Sequence, residues 1–242
     1  MNRTNTHISG GRAIEGGSRR GTTDLERHLI ERTPWDYENG FYWLSDPSRL
    51  LKAITHYELY RQIQSIPGDI VEFGVFKAAS LIRWATFATL EAPGVRRIVG
   101  FDTFDVFPDS KVQGSDDMDF IHSFTDVAGQ PLSVPQIESI IDAKRLPRPE
   151  LIAGDVFDTL PAYLERFPHR RIALLHLDMD VAEPTEFALS RVRDRMAPGG
   201  IIAFDDYGAV PGATRAADAF VRANGLRLER LTMNATPAYC RL

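Results

Sequence analysis

The sequence predicts an α/β protein built on a doubly wound, mostly parallel sheet covered by helices on both faces. Short β-branched runs at 69–73, 97–102, 150–154, 172–178 and 200–205 alternate with segments of helical character, and parallel strands need crossovers of that kind. The last two segments, Leu226 to Met233 and Ala238 to Arg241, flank the turn signal Asn234-Ala235-Thr236-Pro237. They read as an antiparallel pair closing the sheet. With 242 residues, 43% of them hydrophobic, the chain suits one large domain, assigned to 34–242, better than two complete ones.

Each element has its own warrant. Residues 1–33 are expected to be a flexible tail, since up to residue 24 five glycines and four arginines accompany four apolar residues, too few to offset the entropy of ordering. An N-terminal helical extension over 34–67 follows. It opens with PWDYENGFYWL, five aromatic residues in eleven positions, a density that means docking against a core, a partner subunit or a ligand mouth, with the core the first expectation. Ser48 is the expected cap of the next helix, whose apolar residues Leu51, Ile54, Leu59 and Ile63 recur at helical spacing until Pro67-Gly68 stops it. Between the second and third strands, the segment 105–131 breaks the rhythm. From Asp105 to Asp126 it carries six aspartates and one lysine, with Pro108 and Gly114 interrupting any regular element. A long acidic loop at the ligand edge of such a sheet is expected to act as a lid.

Composition narrows the function. Lysine and arginine total 28 against 33 acidic residues, a formal charge of -5, so the broad basic surface that holds nucleic acid is missing. No apolar run is long enough to span a membrane, and the N-terminus lacks the apolar core of a secretory signal. The single cysteine, Cys240, cannot form an internal disulfide and suits a reducing compartment. A cytoplasmic protein with a small-molecule ligand is expected.

The first strand and turn read Val71-Glu72-Phe73-Gly74-Val75-Phe76-Lys77-Ala78-Ala79-Ser80. Glycine there lets backbone approach a ligand, and the following helix start offers free N–H groups. Two of the three glycines of the dinucleotide fingerprint are missing, at Glu72 and Lys77, so a pyrophosphate is a poor fit. An acid suits a cationic ligand, and the sulfonium and amino groups of S-adenosylmethionine make it one. Asp102 in Gly100-Phe101-Asp102-Thr103-Phe104 stands where doubly wound folds hold a ribose. Asp155, after Gly154, could accept an adenine amino group or simply cap a helix. The candidate cofactor-binding residues are Glu72, Gly74, Val75, Ser80, Asp102, Thr103, Phe104, Gly154, Asp155 and Asp178.

The sharpest pattern is His176-Leu177-Asp178-Met179-Asp180, followed 25 positions after Asp180 by Asp205-Asp206-Tyr207-Gly208. Each acidic pair follows an apolar strand, which puts four carboxylates at one sheet edge. Crowded carboxylates repel unless a cation sits among them. Oxygen-only ligation favours magnesium over manganese or calcium.

Taken in order with Glu183-Pro184-Thr185, Pro198-Gly199-Gly200 and Pro211-Gly212-Ala213-Thr214, these motifs closely resemble the macrocin O-methyltransferase family from about Phe41 to the C-terminus. The resemblance implies a class I methyltransferase fold and an S-adenosylmethionine- and magnesium-dependent enzyme that methylates a sugar hydroxyl of a nucleotide sugar or glycosylated natural product. It makes Asp178, Asp205 and Asp206 the metal ligands and Asp180 the general base. His176, inside the apolar strand, reads first as a core histidine and stands second in line as base. A homo-oligomer, dimer or higher, is also expected. Three positions depart from the family pattern: Ala78 and Asp105, each where glycine is frequent, and Ala182, where tyrosine is frequent. Two rival readings are a catechol or phenolic methyltransferase with the same metal logic and a non-catalytic nucleotide- or sugar-binding module.

Overall fold

The structure is a computed structural model that describes residues 33–105, 128–234 and 236–242. The expected tail, apart from Thr33, and residues 106–127 of the expected lid lie outside the described residues. The remainder forms a seven-stranded sheet, β1 (Asp69–Phe73), β2 (Ile98–Asp102), β3 (Glu150–Ala153), β4 (Ile172–Leu177), β5 (Met196–Phe204), β6 (Leu228–Arg230) and β7 (Ala238–Arg241). Its order is β3-β2-β1-β4-β5-β7-β6. β1 to β5 pair in parallel, and β7 runs antiparallel between β5 and β6.

Alternation along each strand sorts the core into two layers. Ile70, Ile98, Leu174 and Ala203 face α2 (Pro47–Gln62), α3 (Ala79–Glu91) and α4 (Val134–Ala143), where Leu59, Trp84 and Ile137 are fully buried. Val71, Val99, Leu175 and Ile202 face the opposite layer of α5 (Val156–Arg166), α6 (Ala182–Val192) and α7 (Pro211–Ala223), meeting Leu160, Leu189 and Ala217. The topology reverses between β1 and β4, so the carboxyl ends of these strands open the crevice in which such sheets hold ligands.

Three local expectations are corrected. α2 is capped by Asp46, which accepts from the Ser48 N–H at 2.8 Å; Pro47 occupies the first turn, where its missing N–H costs nothing, and that moves the cap one residue before it. The aromatic segment forms the helix α1 (Pro34–Leu44) with a Thr33/Asp36 capping box, but it buries none of its residues, and Trp35 is 72% exposed. Aromatic density marked a helix with apolar surface, not one docked on the core. β5 starts at Met196, ahead of the glycine pair, because Met196 already pairs with Ile172 of β4; beyond it the Gly199 N–H donates to the Leu242 carbonyl and the Leu242 N–H to that of Gly200, carrying the ladder through.

Candidate active site

Gly74 closes β1 at φ 86, and a Cβ added there would stand 1.8 Å from the Asp178 carbonyl oxygen. A side chain is therefore impossible, and glycine lets the ends of β1 and β4 meet. The turn that follows is pinned by Asp102: one carboxylate oxygen accepts from Val75 N (2.6 Å) and Phe76 N (2.8 Å), the other from Phe104 N (2.8 Å). Ala78, where the resemblance puts glycine, sits in the left-handed region at φ 60, a strain of roughly 1 kcal/mol or more. Gly154 turns at φ 128 after β3, and Asp155 caps α5 through the Phe157 N–H at 2.9 Å. Thr103 and Phe104 lead out of β2 toward the segment beyond the described residues.

Strand alternation places Glu72, two residues after Ile70, and His176, two after Leu174, on the layer covered by α2 and α3; Asp205, two past Ala203, turns to the same side. All three are fully buried. Ser80 Oγ donates to Glu72 Oε1 at 2.7 Å, and Glu72 Oε2 stands 3.4 Å from His176 Nδ1. The far ring nitrogen, Nε2, is 3.4 Å from Asp205 Oδ1. Lys52 Nζ donates to Asp205 Oδ2 at 2.5 Å. His56, one turn along the same helix, stacks on Trp84 with its Nε2 3.8 Å from Asp205 Oδ1.

Burial alone would raise the Asp205 carboxyl, but the Lys52 charge and the hydrogen bond to His176, with His56 close by, hold it well below the ordinary value. Burial likewise opposes charge on His176, yet its hydrogen bond to Asp205 and the nearby Glu72 carboxylate push it up to about 10. His56 lacks a comparable pair of partners, and burial pulls it down to about 3. One imidazole is thus charged and its neighbour, 5.1 Å away, is neutral.

The outer group is different. Asp178 leaves β4 with its N–H on the Phe73 carbonyl, and Asp180 stands half-buried at φ 65, its N–H donating to Asp206 Oδ2 at 3.1 Å. Asp178, Asp205 and Asp206 each offer an oxygen within 4.8 Å of the others. Burial and then the repulsion of nearby carboxylates raise both Asp178 and Asp206 well above the ordinary range. Asp206 Oδ1 is buried without a hydrogen-bond partner. An all-oxygen group with an orphaned carboxylate atom and mutual repulsion fits a hard divalent cation.

The structure thus brings Asp178, Asp180, Asp205 and Asp206 together, with Glu72, Gly74 and Val75 across the β1–β4 junction. Lys52 and His56 escaped the sequence reading. Their i,i+4 spacing beside Leu59 and Ile63 was the available signal.

A family model for macrocin-O-methyltransferase (TylF) matches residues 50–241. A Streptomyces olivaceus 8-demethyl-8-(2,3-dimethoxy-alpha-L-rhamnosyl)-tetracenomycin-C 4'-O-methyltransferase is 30% identical over 146 residues, 59% of this chain and 54% of that one. The match therefore spans about half the length of that relative. Mycinamicin III 3''-O-methyltransferase of Micromonospora griseorubida is 28% identical over 73% of this chain and 69% of its own. Among solved structures, the calicheamicin methyltransferase CalS11 superposes with a TM-score of 0.73 at 27% identity, covering 94% of this chain and 98% of that one. Its apo form, described as a TDP-rhamnose 3'-O-methyltransferase, gives 0.69 at 27% identity over 90% and 91%. With the family's motifs in order on a doubly wound sheet, and with the family model covering nearly all of the described core, the chain belongs to the macrocin O-methyltransferase family.

Proposed function

We infer that the chain transfers the methyl group of S-adenosylmethionine to a sugar hydroxyl, carried on a nucleotide sugar or a glycosylated natural product. The observation that carries this reading is the placement of half-buried Asp180 beside the Asp178/Asp205/Asp206 oxygens at the carboxyl ends of β4 and β5. The family match and relatives described as acting on rhamnosyl groups and TDP-rhamnose support the substrate class.

An alcohol is a poor nucleophile at neutral pH. A hard divalent cation held by Asp178, Asp205 and Asp206, magnesium by the chemistry of the donors, supplies Lewis acidity that lowers the hydroxyl pKa. Asp180 takes the proton as the oxygen attacks. His176 is unsuited to that task, since it is fully buried between two carboxylates. On the cofactor side, Gly74 allows close backbone approach and Asp102 fixes the Val75 and Phe76 amides. Glu72 and Ser80 act from beneath the turn. Thr103, Phe104, Gly154 and Asp155 border the same crevice at the ends of β2 and β3. Transfer itself needs little more than in-line positioning, because the sulfonium is already a strong electrophile.

Incubation with methyl-labelled S-adenosylmethionine, Mg2+ and a panel of TDP-deoxysugars, glycosides and catechols tests the reading. Label should reach a sugar, and a chelator should abolish transfer. Methylation confined to catechols, or sugar methylation undiminished by chelator, would overturn it.

A further inference from the structure

Lys52 is an unusual resident of this site. It reaches Asp205 from α2, a helix outside the strand-turn-helix frame that carries every carboxylate, across 153 positions of sequence. Its side chain is 15% exposed, that of Asp205 is fully buried, and the ammonium also feels the charges of Asp178 and Asp206. A carboxylate oxygen has about two acceptor positions, and Lys52 occupies part of the capacity of Asp205 Oδ2. The orphaned, buried Asp206 Oδ1 shows that this charge does not complete the group. The carboxylates are thus partly neutralised by a cation built into the chain.

We propose that Lys52 sets the affinity of the site for its divalent cation, standing as a fixed positive charge that competes for Asp205 and repels the incoming ion. This rests on the metal reading above. It implies weak, readily exchanged metal in the resting protein, with substrate oxygens completing a site that the protein alone leaves underfilled. A lysine that shapes Asp205 for ligation would act the opposite way, and its removal would weaken the metal.

Calorimetric titration of the full chain with Mg2+ or Mn2+ alone, without cofactor or sugar, separates the two. Lys52→Met and Lys52→Gln should bind about tenfold more tightly than wild type, the order of effect that removing one nearby unit charge has on a divalent ion even with water-like screening. Lys52→Arg should stay within about threefold of wild type. Unchanged or weaker binding by both uncharged variants would overturn the proposal while leaving the metal reading intact. Absence of binding by wild type and variants alike would overturn both. If the uncharged variants are unstable, millimolar Mg2+ should restore their folding, because an ion can take the place of the ammonium; variants that stay unfolded in Mg2+ would overturn it as well.

Discussion

Asp205 and Asp206 are consecutive residues at the end of one strand, and their environments drive their acidities in opposite directions. Asp205 points into the layer under α2 and α3, where Lys52 and His176 hold it as a carboxylate. Asp206 turns toward Asp178 and Asp180 and receives one backbone N–H, so burial and like charge favour its protonated form. The inner group carries its own cations, Lys52 and His176, while the outer group, which shares Asp205 with it, carries an excess of negative charge that those cations offset only in part. Structure and chemistry divide along that line. The inner group braces β1, β4, β5 and α2 against one another, and the outer group faces the crevice where a ligand can complete it.

The largest effect should come from removing the proposed base. Asp180→Asn keeps the shape and a hydrogen-bond acceptor but cannot take a proton, so turnover should fall by roughly 10² to 10⁴. Calorimetry should show S-adenosylhomocysteine and Mg2+ binding almost unchanged. A near-normal rate would move the base out of the outer group and break the proposed division.

Charge-removing changes at the two neighbours then sharpen it. Asp205→Asn leaves Lys52 and the imidazolium of His176 buried without their shared partner, a loss of about 3 to 5 kcal/mol by analogy with broken buried pairs. Asp206→Asn relieves repulsion instead, and stability in the absence of metal should hold or rise. Mg2+ affinity should weaken in both. Equal stability losses in denaturant titrations would show that the two carboxylates share one environment after all.

Much of the outer group is legible in the chain because period-2 strands end at its acids, so topology alone brings Asp178, Asp180, Asp205 and Asp206 to one edge. The inner group is harder to read. His176 looks like a core histidine within an apolar strand, and only the register that sets Glu72 beside it, and Ala203 beyond, reveals its two acidic partners. Lys52 and His56 share a face of α2, but nothing local says that this face lies over β5. The cap at Asp46 and the early start of β5 turned on Pro47 and on the pairing of Met196 with Ile172, one a rule that favoured the residue before the proline, the other a register shift between two strands that no local pattern announces.

The finest test of the comparison is the pH dependence inside the inner group. His176 keeps its proton up to about pH 10 in the folded chain, whereas an unfolded imidazole releases it near 6.5. Its stabilising contribution is complete below about pH 6.5 and is lost as pH rises toward 10, because the folded state there binds the extra proton. His56 has the opposite sign. Folded, it stays neutral down to about pH 3, so its contribution is complete above about pH 6.5 and is lost as pH falls. Two rings 5.1 Å apart therefore supply the two limbs of a stability maximum near the ordinary imidazole value. Thermal unfolding measured from pH 4 to 10 should show both limbs, at about 2 to 4 °C per kcal/mol for a chain of this size. His176→Gln should flatten the alkaline limb selectively, and His56→Gln the acidic one. If either substitution altered both limbs equally, the two histidines would be titrating as one unit and the charged and neutral rings could not be told apart.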